Sequence, residues 1–218
     1  MNSLLDPRIT AEMAVLQREA ARDSERWQAR KASQQEAASS LSPNSDSIAD
    51  PLIRMGEFYL GVSSQEGKLL YNLARSKRAR CIVEFGASYG ISTLYLGAAA
   101  RDSGGRLITT EVHPEKCHAT RELIIRSGLD EQVTLFEGDA LVTLKSVDEQ
   151  VDLLFLDGWK GLYLPMLELM LPKLSEGALV AADNVDHTAA APYVAAIQAD
   201  SRFVTSIVGD MALSCFAG

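Results

Sequence analysis

The stretch Val151–Val185 reads VDLLFLDGWKGLYLPMLELMLPKLSEGALVAADNV. Its two apolar runs, Val151–Leu156 and Ala178–Ala182, are short, and the segment between them, Leu162–Leu174, has apolar residues at helical spacing. A helix joining two short apolar runs predicts a right-handed crossover between parallel strands covered on both faces. Each run stops abruptly in polar residues. Asp157-Gly158-Trp159-Lys160 follows the first and Asp183-Asn184 the second. Parallel sheets of this kind take ligands beyond the carboxyl ends of their strands, so these residues are the first candidates for a site.

The alternation extends outward from that stretch. Upstream, Arg80–Phe85, Arg106–Glu111 and Val133–Phe136 read as strands, separated by helices at Ile91–Ala100 and Pro114–Arg126. A short helix, Leu141–Val147, follows, and Gly128 suits a helix C-cap. Downstream, Ala189–Ala199 reads as a helix. Phe203–Val208 and Met211–Phe216 are parted only by Gly209-Asp210 and predict an antiparallel hairpin at one sheet edge. The expected fold is α/β, a doubly wound Rossmann-like sheet with a C-terminal hairpin and N-terminal helices.

The N-terminal part has a different texture. Ile9–Lys31 reads as one amphipathic helix with Met13, Leu16, Ala20 and Trp27 on a stripe. It is expected to pack on the main domain or on a second subunit; a lid over the site is the weaker reading. Ser33–Ser47, SQQEAASSLSPNSDS, reads as a flexible linker, and Ile48–Leu60 as helical with an interruption at Pro51. Ser63–Ser76 begins with the capping box Ser63-x-x-Glu66. Residues 1–50 are thus expected to form a helical extension with a linker, and 51–218 the main domain.

The bulk composition sets bounds. The 218 residues are 47% hydrophobic and 23% charged, ordinary for a globular chain. A formal net charge of -8 and a pI near 4.9 give no general attraction to phosphate backbones or anionic membranes. A nucleic-acid partner is disfavoured, although a local basic patch would still be compatible. Cys81, Cys117 and Cys215 are scattered and odd in number, unlike a disulfide framework or a zinc site. No basic-then-apolar leader is seen, and no apolar run reaches the ~20 residues of a membrane span. The expectation is a cytoplasmic enzyme.

The strand ends carry the chemistry. Strand one runs into Glu84-Phe85-Gly86-Ala87-Ser88-Tyr89-Gly90, where glycines let a ligand approach the backbone at a helix N-terminus. The pattern lacks the middle glycine of the dinucleotide fingerprint. Glu111 ends strand two and can accept from ribose hydroxyls; a solvated strand-end charge is an equal reading. Asp139 follows strand three and could accept from an adenine amino group. Three acids on three consecutive strand ends favour a nucleoside cofactor without a pyrophosphate. That points to S-adenosylmethionine (SAM) over NAD, and carboxylates also suit a sulfonium cation. Asp157, Asp183 and Asn184 form an oxygen-rich set that suits Mg²⁺ or another hard divalent cation. The plainer readings are a helix N-cap for Asp157 and turn chemistry for Asp183-Asn184. Lys160, three residues after Asp157, is a candidate general base or an ordinary surface lysine.

Six motifs, in the order LGVSSQEGK, VEFGASYGIST, ITTEVHP, FEGDA, FLDGWK and AADNV, span the chain from about Phe58 onward. Together they resemble catechol O-methyltransferase and its bacterial and plant relatives, including the caffeoyl-CoA O-methyltransferase group. The resemblance implies a seven-stranded class I methyltransferase sheet across 51–218. It implies Asp157, Asp183 and Asn184 as Mg²⁺ ligands and Lys160 as the general base. Val62, Glu84, Gly86, Ser92, Glu111, Asp139 and Asp157 match cofactor-contacting positions, and Trp159 and Phe58 match aromatic positions flanking a catechol ring. The implied reaction moves a methyl group from SAM to one hydroxyl of a vicinal dihydroxy aromatic, in a monomer or homodimer. The chain also departs from the pattern. Ser201–Ser206 offers no carboxylate where the animal enzymes hold the second hydroxyl, Gly158 replaces a histidine, and His187 stands near a gatekeeper proline position. Other acceptors, a carrier-bound phenol or a tRNA base, share the chemistry. An NAD-dependent oxidoreductase would account for Gly86, Gly90 and Glu111 but leaves Asp157, Asp183 and Asn184 without a role. A catalytically silent binding module is the remaining alternative.

Overall fold

In the computed structural model, residues 2–40 and 55–218 are described, with side chains outside 34–40. Seven strands form one sheet: β1 (Cys81–Phe85), β2 (Arg106–Glu111), β3 (Val133–Glu137), β4 (Val151–Leu156), β5 (Leu174–Ala182), β6 (Phe203–Val208) and β7 (Met211–Phe216). Their spatial order is β3-β2-β1-β4-β5-β7-β6. Strands β1 to β5 run parallel, and β7 lies antiparallel between β5 and β6. The order reverses direction between β1 and β4, so a crevice opens at that point beyond their carboxyl ends.

The helices among the described residues are α1 (Pro7–Ala20), α2 (Asp23–Ser40), α3 (Ser64–Lys77), α4 (Ile91–Ser103), α5 (Pro114–Arg126), α6 (Ala140–Thr143), α7 (Tyr163–Met170) and α8 (Ala191–Ala199). They divide between the two faces of the sheet. One apolar cluster joins Leu70 of α3, Leu94 of α4 and Leu123 of α5 to Ile82 and Leu153. The other joins Tyr163 and Met166 of α7 and Tyr193 of α8 to Val83 and Leu154. Neighbouring residues of β1 and β4 thus point to opposite clusters, as the pleat requires.

Helix α1 is part of the first cluster. Ile9, Met13 and Leu16 are buried in it, which supports packing on the main domain over a lid. Polar clamps fix the same contact: Ser3 donates through N–H and Oγ to Asp102 at 2.8 and 2.6 Å, and Arg126 pairs with Glu12 at 2.8 Å. Ile9→Ala is expected to cost about 2–5 kcal/mol of unfolding free energy. Urea denaturation measures it, and a loss below about 0.5 kcal/mol would mean that α1 is not docked in solution.

Several boundaries differ from expectation. The helix expected over Ile9–Lys31 is broken at Ala21-Arg22, because Asp23 serves as an anchor. Its carboxylate accepts from the Tyr59 and Leu60 N–H groups, each at 2.9 Å, and pairs with Arg26 at 2.7 Å. The expected linker is helical as far as Ser40, as its alanines and glutamines allow. Residues 41–47 of that linker, and 48–54 of the expected helix with Pro51, lie outside the described residues. Residues 55–57 form a turn and 58–60 an irregular segment instead of helix, with Leu60 at φ 47°. The helix expected to reach Leu174 stops at Met170, where Pro172 cannot continue the ladder. Strand β5 starts correspondingly early at Leu174, which pairs with Val151 across a register shift. The Ser63–Glu66 capping box is present in full.

Candidate active site at the strand ends

The register of β4 and β5 pairs Leu156 with Ala182, so the next residues, Asp157 and Asp183, leave the sheet side by side. Asp157 N–H donates to the Phe85 carbonyl, and Asp183 N–H to that of Leu156, both at 2.9 Å. The two acids are therefore held by backbone bonds of the sheet itself. Asn184 follows with φ 51°, a left-handed conformation that asparagine tolerates, and this turns the chain away from the strand.

Lys160 begins a short 3-10 turn that leads into α7. Its Nζ donates to Asp157 Oδ1 at 3.1 Å and to the Tyr163 hydroxyl at 2.8 Å. Tyr163 is fully buried and donates its own proton to the Asp183 carbonyl at 2.9 Å. A continuous chain of contacts thus links Asp157, Lys160, Tyr163 and the backbone of Asp183. Tyr163 carried no signal in the sequence beyond lying one helical turn after Lys160.

The electrostatics follow from burial. Asp157 is pushed up to about 7 first by desolvation; Lys160 pulls it down and Asp183 adds repulsion. Asp183 is pushed up to about 6 by burial, with Lys160 opposing and Glu66 and Asp210 adding to the rise. Burial drives the Tyr163 phenol far above its usual range, so it stays a neutral donor. The Asp183 side chain has one buried oxygen, Oδ1, with no hydrogen-bond partner among the described residues. A buried, unpartnered carboxylate oxygen beside a second carboxylate suits a cation ligand. The hard oxygen set of Asp157, Asp183 and Asn184 therefore fits a divalent metal.

The glycine turn after β1 lies against this pair. A Cβ on Gly86, whose φ is 98°, would come within 2.8 Å of Gly158 N and Cα and 2.9 Å of the Asp157 carbonyl. Only glycine allows the two turns to touch. A Cβ on Gly158 would meet the Phe85 ring at 2.5 Å. The Phe85 ring thus leaves no room for a side chain at position 158.

The other candidates fall into two groups. Glu111 sits at the end of β2, where its carboxylate accepts from the N–H groups of Ser88, Val112 and His113, each at 2.8 Å. These bonds fix the glycine turn and the start of α5 around one acid. Val62 is buried just before α3. Asp139 is exposed, and its side chain caps α6 by accepting from Leu141 N–H at 2.9 Å. Glu84 is 0% exposed inside β1. Its Oε2 accepts from Thr93 and Thr109 at 2.6 Å, with Ser92 beside it, and burial raises its pKa. Glu84 thus ties β1 to β2 and to the first turn of α4.

Of the two aromatic candidates, Trp159 is 48% exposed beside Lys160 and is open to a ligand. Phe58 is 0% exposed, stacked on Trp27 with ring centroids 4.1 Å apart. It has no free face in this conformation. His187 Nδ1 accepts from Ala189 N–H at 3.1 Å and caps a short 3-10 turn. Lys116, a lysine only 4% exposed, carried no signal of its own in the sequence pattern. Its Nζ donates to Ser88 Oγ at 3.0 Å on the glycine turn, near Glu111, and burial lowers its pKa.

Residues 83–185 match a family described as a methyltransferase domain. A catechol O-methyltransferase of Bos taurus is 31% identical over 158 residues, which are 69% of this chain and 57% of that protein. One of Niastella koreensis is 35% identical over 130 residues, 58% of each chain. The chain therefore spans somewhat more than half the length of these curated relatives. Among solved structures, the O-methyltransferase from Bacillus cereus in complex with SAH is 25% identical with a TM-score of 0.68, covering 85% of this chain and 97% of that one. The O-methyltransferase TomG from Streptomyces achromogenes, in complex with SAM, is 25% identical with a TM-score of 0.68, covering 84% and 95%.

Proposed function

From a chain that carries a class I methyltransferase domain and resembles the catechol O-methyltransferases, we propose a SAM-dependent, divalent-metal-dependent O-methyltransferase. The proposed acceptor is a small vicinal dihydroxy aromatic. The observation that carries the reading is the contact chain Asp157–Lys160–Tyr163–Asp183 at adjacent strand ends, beside the Gly86 turn.

The chain's residues divide the work. Glu111 and the turn from Gly86 to Gly90 would seat the adenosine, with Val62 and Asp139 at its margins. Bound at Asp157, Asp183 and Asn184, a divalent cation would supply Lewis-acid polarisation of the two diol oxygens. Lys160 would take the proton of the hydroxyl that attacks the methyl carbon. The sulfur–methyl bond breaks as the oxygen–methyl bond forms, and S-adenosylhomocysteine (SAH) leaves. Trp159 would cover one face of the ring. Alignment of donor and acceptor can supply about 7–11 kcal/mol of the barrier reduction. Among the described residues, no helix is long and apolar enough to cross a membrane.

The test is methyl transfer from SAM to a panel of catechols with Mg²⁺ and with excess EDTA. EDTA is expected to lower turnover by at least about 10²-fold, in line with several kcal/mol of metal assistance. Full activity in EDTA would remove the metal from the reading. Binding of NAD without binding of SAH would remove the reading altogether.

A further inference from the structure

Two more acids converge on Asp183. Glu66, Asp183 and Asp210 each offer one carboxylate oxygen, and the three atoms lie within 4.8 Å of one another. They come from separate elements: the first turn of α3, the end of β5 and the turn between β6 and β7. Backbone hydrogen bonds help to hold each in place. Glu66 Oε2 accepts from Ser63 N–H at 2.6 Å in the capping box, and the Asp210 carbonyl accepts from Val185 N–H at 2.8 Å. Among the described residues, no lysine, arginine or histidine forms an ion pair with any of the three; Lys160 pairs with Asp157 instead.

Three converging acids alone would mean little, since such groups are common on surfaces. The second observation is at Asp183. It is 5% exposed, and its Oδ1 is buried without a hydrogen-bond partner. A carboxylate so placed has lost water on one oxygen and gained nothing in return, unless a cation replaces it.

We propose that Glu66, Asp183 and Asp210 form a second divalent-cation site, sharing the Asp183 carboxylate with the Asp157–Asp183–Asn184 set. The ligand is a hard cation of Ca²⁺ or Mn²⁺ type, bound by oxygen alone. Ca²⁺–oxygen distances of about 2.3–2.6 Å place oxygens on opposite sides of one ion about 4.6–5.2 Å apart, so the cluster is within one ion's reach as it stands. A shared carboxylate is also how paired metals about 3.5–4 Å apart are commonly held. The second ion would clip the start of α3, just after Val62, and the β6–β7 turn to the end of β5. The inference rests on the proposed function only through Asp183.

The full-length chain, stripped of metal and with SAH present, is titrated with Mn²⁺, and free Mn²⁺ is counted by electron paramagnetic resonance. Two Mn²⁺ per chain are expected. Glu66→Gln and Asp210→Asn should each bind one. Glutamine at 66 keeps the capping contact, and asparagine at 210 leaves the carbonyl bond to Val185 intact, so melting temperatures should confirm that both variants fold. If wild type and both variants bind one ion, lost only in Asp157→Asn, the second site is overturned and the proposed function stands. If a single ion is lost in Glu66→Gln and Asp210→Asn but kept in Asp157→Asn, the new site stands and the role of Asp157 falls. If wild type binds no Mn²⁺, both fall.

Discussion

Lys160→Met is expected to lower methyl-transfer turnover by about 10²–10⁴-fold, the usual range for a positioned general base. Methionine keeps the length and the apolar stem but cannot take a proton. The geometry says why the position is demanding. Nζ is held by Asp157 Oδ1 at 3.1 Å and by the Tyr163 hydroxyl at 2.8 Å. Tyr163 spends its single proton on the Asp183 carbonyl, so toward Lys160 it can only accept. In the neutral amine that serves as the base, both N–H bonds are thus taken, and the lone pair is left to accept the proton of the substrate hydroxyl. The loss should fall on kcat. SAH affinity should stay unchanged, because the adenosine side of the crevice is organised by Glu111 and the glycine turn. Raising the pH should recover part of the loss, as an already ionised acceptor needs no base. Turnover unchanged from pH 6 to 9 would leave Lys160 as a structural partner of Asp157 and nothing more.

The fold could be read from the sequence where burial is symmetrical. Strands covered on both faces become short runs rich in apolar residues, and the bounds read for β1, β2 and β4 agree with the structure to within a residue. The crevice was legible for the same reason: a buried run must end in polar residues, and Asp157 and Asp183 do end theirs. What failed was local competition. The break at Ala21-Arg22 depends on Asp23 meeting the N–H groups of Tyr59 and Leu60, a long-range contact that no helical period reveals. The early start of β5 depends on a register shift opposite Val151. Site residues were legible as strand ends but not as partners. Glu84 lies inside β1, one residue before its end, and its contacts are Thr93 and Thr109 within the protein. Glu66 and Asp210 carried complete local explanations, a capping box and a hairpin turn. Their convergence on Asp183 is a property of the sheet order, which sets β5 beside β7.

Asp157→Asn is expected to make the metal-free protein more stable at pH 8, by roughly 2–4 kcal/mol, while abolishing cation binding at the site it shares with Asp183 and Asn184. The two effects have one cause. Burial holds Asp157 up to about 7 and Asp183 up to about 6, against 3.8 for a free aspartate. Between about pH 4 and 7 the folded chain therefore binds more protons than the unfolded chain, and stability falls as pH rises through that window. By pH 8 both acids are ionised and nearly buried, with Lys160 their nearest cation. Asparagine mimics the protonated acid in size and removes one charge. Lys160 loses a partner in the exchange, which opposes the gain. The balance favours asparagine because the rise at Asp157 persists with Lys160 already in contact. At pH 4, where the wild-type acid is itself protonated, the variant should show little advantage. A divalent cation reverses the order: it needs the carboxylates ionised, so its affinity should weaken as pH drops through 7 and 6 in wild type. Thermal melts at pH 4 and 8 with EDTA, beside Mg²⁺ titrations of both proteins, measure each half. An Asp157→Asn protein less stable than wild type at pH 8 in EDTA would mean that the ion pair with Lys160 outweighs the burial of its charge.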